Sequence, residues 1–354
     1  MRCGLLALTF IAMVSAGADA ARPEPVRAGQ DSFIQRAIFA DGRLWLLTDA
    51  GVLSTIADGK DERVAVALPE PALDLWLEHG RPAVITCRRN GCTDWTIREW
   101  IGGTWAVTAK VPTADDSFIA MSSTDAGPML LSSRRIIEVT GKTQRATALS
   151  QPVQGGVVPG TAAIPTMQVG PTSILVGFNA GEWGGGVQRI DRQTGEVSTI
   201  PRSVVGKSPY EPFDLDFNPV NGIVAVPWKP ACVAVAVGLV HFEPHGAIVE
   251  LCGNVISPLY VKAYGGQPGE ALHNTGSTVA FFGLVRRGDS LWAAGIDGIY
   301  RIGPDGATQP VPLPAFKKVG GVSVSFEIPD FVVVLTDVNQ RRSMGGSVPL
   351  LVPR

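Results

Sequence analysis

The sequence predicts an all-β protein, a β-propeller of seven blades with about four antiparallel strands each; six or eight blades are the alternatives. Three observations predict it. No long segment places apolar residues at i, i+3, i+4 and i+7, so helical periodicity is nearly absent. Short β-branched and aromatic runs recur instead, separated by Gly, Pro, Asn and Asp. The runs repeat at roughly 40 to 50 residues, the period of propeller blades. Gly (41) and Pro (27) among 354 residues exceed ordinary usage and are spread throughout, which reads as turns.

Taken in chain order, the N-terminus comes first. Met1-Arg2 is weakly basic, Leu5 to Val14 is apolar apart from Thr9, and Ala18-Asp19-Ala20 supplies small residues for a signal peptidase. Residues 1–20 are therefore expected to be a Sec-type signal peptide, and 21–354 a single propeller domain that is periplasmic or secreted. The apolar stretch is shorter than the ~20 residues a permanent span needs. Cys3 precedes it, so it is no lipid-attachment cysteine. The longest later apolar run, Ala231 to Val240, suits a buried strand.

Seven units are drawn, beginning near Phe33, Leu73, Phe118, Ala163, Phe213, Val279 and Val322. Four share a pattern of Gly, alternating strand, Gly-ended turn and further strand. These are Gly51 to Gly59, Gly186 to Gly195, Gly238 to Gly246 and Gly298 to Gly306. The last unit reads as one strand short, and a segment before Phe33 is the expected outer strand closing the ring. Gly253 to Ser277 reads as an inserted surface loop.

Removing Cys3 leaves Cys87, Cys92, Cys232 and Cys252, an even number that argues for disulfides in an exported chain. Three pairings exist. The local one, Cys87–Cys92 with Cys232–Cys252, is favoured because Asn90-Gly91 is a tight-turn dipeptide between the first two thiols. A zinc site is the rival, but no His partner lies near in sequence.

Two units resemble the repeats of two-component-regulator-type propellers, found in extracytoplasmic sensor regions. Gly42-Arg-Leu-Trp45-Leu-Leu-Thr48-Asp-Ala-Gly51 and Asp289-Ser-Leu-Trp292-Ala-Ala-Gly295-Ile-Asp-Gly298-Ile-Tyr300 carry the likeness. It implies a fold, not a function. Asp191-Arg-Gln-Thr194-Gly195-Glu-Val197 is similar to a turn of pyrroloquinoline-quinone propellers. The docking Trp of that family is replaced by Ile200-Pro201, so no cofactor is implied.

A net charge of −2 and 18% charged residues give no basic stripe and no acidic tail, which excludes a nucleic-acid surface. No nucleophile elbow is present. His241-Phe-Glu243-Pro-His245 offers three potential ligands, but the repeat pattern makes them a strand and a turn, so no metal is assigned. Asp214-Leu-Asp216 alternates on one side of an expected inner strand and, with His273, is the catalytic set to test.

The loops between second and third strands share one face in the propellers this chain resembles. Mapped here they carry Asp49, Arg88 and Arg89, Arg134 and Arg135, Asn179 to Gly186 with Glu182 and Trp183, Trp228 and Lys229, Asp297, and Asp337 to Gly346. Tyr260, Tyr264, His273 and Asn274 of the insertion are expected to overhang the same face. Arg forks suit carboxylate or phosphate, and indole faces suit sugar rings or peptide side chains. The sequence therefore favours a non-catalytic binding propeller, monomeric, with a small-molecule, saccharide or protein partner. The alternative is a lyase or hydrolase acting on polysaccharide or another anionic substrate.

Overall fold

The computed structural model describes residues 33–88, 91–153, 165–181, 184–200, 214–241, 243–265, 277–306, 308–336 and 348–354. The expected signal peptide and closing segment before Phe33 lie outside them, as do Arg89, Glu182, Trp183, His273, Asn274 and 337–347. Among the described residues there is no α-helix, and no helix long and apolar enough to cross a membrane.

Seven four-stranded antiparallel sheets form a seven-bladed propeller. Within each sheet the strands lie in chain order. The first six start at Ile34, Ala72, Phe118, Thr166, Val220 and Phe281, within three residues of the expected starts except for Val220, which comes seven residues after Phe213. Alternating side chains face the neighbouring sheets, so each inter-sheet space is a dry layer. Leu44, Leu46 and Ile56 meet Val322, Val324, Val332 and Val334 at one boundary. Val226, Ala234, Ala236 and Ile248 meet Phe281, Leu291 and Tyr300 at another.

In the first six sheets the first strand is innermost. The seventh reverses this. Its last strand, Val348–Pro353, is buried like the inner strands, whereas its first, Lys317–Val319, is mostly exposed. Val348–Pro353 lies between the inner strands Phe281–Arg287 and Ile34–Ala40. The seventh sheet therefore runs from the rim inward and supplies all four of its own strands. The expectation that it lacks one, to be filled from before Phe33, is corrected. Its short, polar outer strand Lys317–Val319 gives little apolar signal.

The ring closes by side-chain packing at the seam between sheets 7 and 1, and by Thr336 Oγ1 donating to the Ile34 carbonyl (3.0 Å). Arg354 at the chain end bonds Asp58 and lies over the Phe39 and Phe326 rings.

Two further expectations shift. Val255–Tyr260, the start of the expected insertion, is the fourth strand of sheet 5. In that sheet Cys232–His241 and Glu243–Cys252 pair along their whole length, so Gly238 and Gly246 face one another inside the hairpin and mark no turn. They are glycines because sheet 6 touches the backbone there. A Cβ on Gly238 would stand 2.4 Å from the Phe281 oxygen, and one on Gly246 would stand 2.7 Å from Ala280 Cα. Both cysteine pairs form the local disulfides, Cys87–Cys92 and Cys232–Cys252.

Candidate functional site

Strand alternation fixes two ends of the ring. In sheets 1 to 6 the inner strands begin at the entry end, where the second-to-third-strand loops and the connectors between sheets also lie. First-to-second and third-to-fourth turns lie at the exit end.

Most of the arginine-loop residues do sit at the entry end. Arg134 lies in the turn between Gly127–Ser132 and Arg135–Thr140, with its side chain exposed. Arg135 is committed to the scaffold. It donates to Asp116 (2.6 Å) and to the carbonyls of Pro112 (3.1 Å) and Thr113 (2.6 Å), bracing the connector between sheets 2 and 3. Arg88 is exposed and 4.0 Å from Glu70, which Arg98 also contacts at 3.1 Å.

Asn179 is structural too. Its oxygen accepts from the Gly181 amide (2.8 Å), and its amide donates to Asn221. Asn221 in turn donates to the carbonyls of Gly238 and Phe281, each at 2.8 Å, so two amides join three sheets.

Trp228 and Lys229 are placed elsewhere. They lie between Val220–Ala225 and Cys232–His241, the first and second strands of sheet 5, and hence at the exit end. Trp228 packs against the layer containing Cys232 and Phe281, and Lys229 donates to Glu250 (2.9 Å). The sequence pattern mistook Cys232–His241 for a third strand because Gly238 resembled a strand start.

Asp214 to Asn218 is a turn before the inner strand, not the strand itself. Asp214 Oδ1 accepts from the Asp216 amide (3.3 Å), and its carbonyl accepts from Asn218 (3.0 Å). Leu215 is buried between them. The apparent alternation is one buried leucine between two aspartates of a turn, so the expected acid pair on a channel strand is corrected. The glycines after Trp183 serve this turn. A Cβ on Gly185 would meet the Asn218 oxygen at 2.7 Å, and one on Gly186 the Asp216 oxygen at 2.9 Å.

Asp297 occupies a charge cluster between sheets 5 and 6. It accepts from Lys262 Nζ (2.7 Å) and from the Tyr300 hydroxyl (2.7 Å). Tyr260 lies against Tyr300 with ring centroids 5.4 Å apart. Burial, with Asp297 nearby, pushes the Tyr260 phenol up to about 12. Tyr300 is pushed further up, first by burial and then by its hydrogen bond to Asp297. Asp191, in the turn likened to quinone propellers, is held below the usual carboxyl range by amide and hydroxyl bonds from Thr194 and the Gln193 amide.

Two features were missed by sequence reasoning. Phe217 is 56% exposed, and its ring would lie 3.2 Å from a Cβ on Gly184. Tyr264, which is among the residues expected to overhang this face and so was not missed, is 43% exposed on the following inter-sheet connector. The available signal was an aromatic inside a Gly/Asp/Asn-rich connector.

The second feature is Arg36, which donates to buried Asp74 (3.0 Å) and to the Pro165 carbonyl (2.8 Å). Pro165 leads into sheet 4, and sheet 1 does not adjoin sheet 4, so this bond crosses the central channel. Arg36 and Asp74 each follow a β-bulge at the same point of their inner strands, and bulges re-aim side chains.

No protein-family model matches the chain, and no curated protein matches it in sequence. Solved structures match it in fold. One, described as the extracellular domain of a hybrid two-component system from B. thetaiotaomicron, is 13% identical with a TM-score of 0.48. It aligns with 90% of this chain, which spans 38% of that one. A streptogramin B lyase is 14% identical (TM-score 0.48; 90% and 92% of the two chains). YCF48 bound to D1 peptide is 13% identical (TM-score 0.51; 91% and 93%).

Proposed function

We propose that this chain is an exported, non-catalytic binding propeller of the cell envelope, periplasmic or secreted. Its entry end recognises a ligand presenting an anionic group beside an apolar face, as an acidic saccharide or peptide does. The observation that carries the reading is the pair of exposed aromatics, Phe217 and Tyr264, on the two connectors flanking sheet 5. Exposed Arg134 lies on the same end of the ring. Aromatic faces supply apolar contact at low entropic cost, and a guanidinium supplies a fork for carboxylate or phosphate. The two disulfides support an oxidising compartment. Asp214 caps its own turn, which favours binding over acid–base catalysis.

Arrays of acidic glycans and acidic peptides test this. Phe217→Ala and Arg134→Ala should each weaken the selected ligand about tenfold, roughly 1.4 kcal/mol, with the melting temperature unchanged. Turnover of the ligand, or full affinity in both variants, overturns the reading.

A further inference from the structure

The exit end of sheet 5 carries a cluster that binding at the entry end does not use. Cys232 opens the second strand and Cys252 closes the third, and the two are direct cross-strand partners with Cα atoms 4.3 Å apart. Glu250 stands two residues before Cys252, on the same side of its strand. Its carboxylate and the two sulfurs lie within 4.8 Å of one another.

Glu250 is 6% exposed. One of its oxygens accepts from Lys229 Nζ. The other, Oε2, is buried and has no hydrogen-bond partner among the described residues. An unsatisfied buried carboxylate oxygen is costly and calls for an explanation. Here it belongs to a carboxylate that lies within 4.8 Å of both sulfurs.

We propose that, once the Cys232–Cys252 bridge is reduced, the two sulfurs and Glu250 form a site for a thiophilic divalent cation of the zinc class. A dithiol or phosphine reductant supplies two electrons, the S–S bond breaks, the two sulfurs take up two protons from the dithiol or from water, and the reductant is oxidised to a disulfide or a phosphine oxide. The cation then displaces the two thiol protons to solvent and binds two thiolates and the carboxylate. Two thiolates and a carboxylate are a donor set zinc accepts, and three protein ligands leave a fourth position for water.

Charge balance favours the exchange. The bridged state holds Glu250⁻ and Lys229⁺. The metal state adds two thiolates and a dication, so the buried cluster stays neutral in both, and neither carries an uncompensated charge. The other disulfide makes a contrast. Cys87 and Cys92 each lie near the Asp94 carbonyl, and no third ligating side chain joins them among the described residues.

The test uses the full chain carrying Cys87→Ser and Cys92→Ser on a Cys3→Ser background, so that only the Cys232 and Cys252 dithiol remains. It is reduced with a phosphine and titrated with Cd(II) and then Zn(II). One equivalent of Cd(II), with a thiolate charge-transfer band that is absent before reduction, is expected. Glu250→Gln should weaken binding about tenfold or more, with near-ultraviolet circular dichroism preserved. Where that Ser background fails to fold, the reduced wild-type chain is compared with Cys232→Ser. Binding no tighter than in Cys232→Ser, or equal affinity in Glu250→Gln, overturns the site.

Discussion

The boundary between sheets 5 and 6 and the seam between sheets 7 and 1 solve one problem in two ways. Between sheets 5 and 6 the backbones themselves meet. Gly238 and Gly246 admit Val279 to Phe281, and the Asn221 side chain spans both strands with two hydrogen bonds. At the seam, aliphatic side chains fill the gap, and ion pairs of Arg354 with Asp58 and Lys317 with Asp61 edge it. Side chains can repack around a change, whereas a backbone carbonyl in contact with a glycine cannot.

The largest effect should come from Gly238→Ala. Its new Cβ would meet the Phe281 oxygen at 2.4 Å and its nitrogen at 2.5 Å. A loss of at least about 3 kcal/mol is expected in denaturant unfolding. A loss under about 1 kcal/mol would erase the contrast with the seam.

Val332→Ala at the seam should cost about 2 kcal/mol by the same measurement, from lost burial and an incompletely closed cavity. Lys317→Ala, which removes a largely exposed ion pair with Asp61, should cost less than about 1 kcal/mol.

The phenols at the boundary between sheets 5 and 6 add a pH signature. Tyr260 holds its proton up to about 12 in the folded state, against an ordinary value of 10.0. The folded state thus binds more protons than the unfolded one at alkaline pH. This contribution is complete below pH 10 and is lost as pH rises from about 10 through about 12. Stability measured across that window should decline, and less so in Tyr260→Phe. An identical decline in that variant would remove Tyr260 as a cause.

The fold was legible because blade sheets announce themselves locally. Five of the seven predicted starts lie within three residues of the observed ones, and Asn90-Gly91 pointed to the Cys87–Cys92 bridge. Glycine was where the reading slipped. The sequence cannot distinguish a glycine that turns the chain from one that admits a neighbouring backbone. Reading Gly238 as a strand start moved Trp228 and Lys229 to the wrong end of the ring. Lys317–Val319 is too short and polar to register, so the inward run of sheet 7 was invisible.

The site was less legible than the fold. Arg135, Asn179 and Asp297 lie at the entry end, and their partners are other parts of the chain. Which arginine stays exposed depends on neighbours such as Asp116 that periodicity does not reveal. Arg36 and Asp74 became a pair only because their inner strands stand side by side with matching bulges.

The most direct test of the account is a side-chain oxidation footprint of the protein, recorded free and saturated with the ligand selected from the arrays. Protection should fall on Phe217 and Tyr264 at the entry end, while Leu77, Trp228 and Val255 at the exit end stay unchanged. Protection of Leu77, Trp228 and Val255 with Phe217 and Tyr264 still reactive would place recognition at the opposite end and contradict the account.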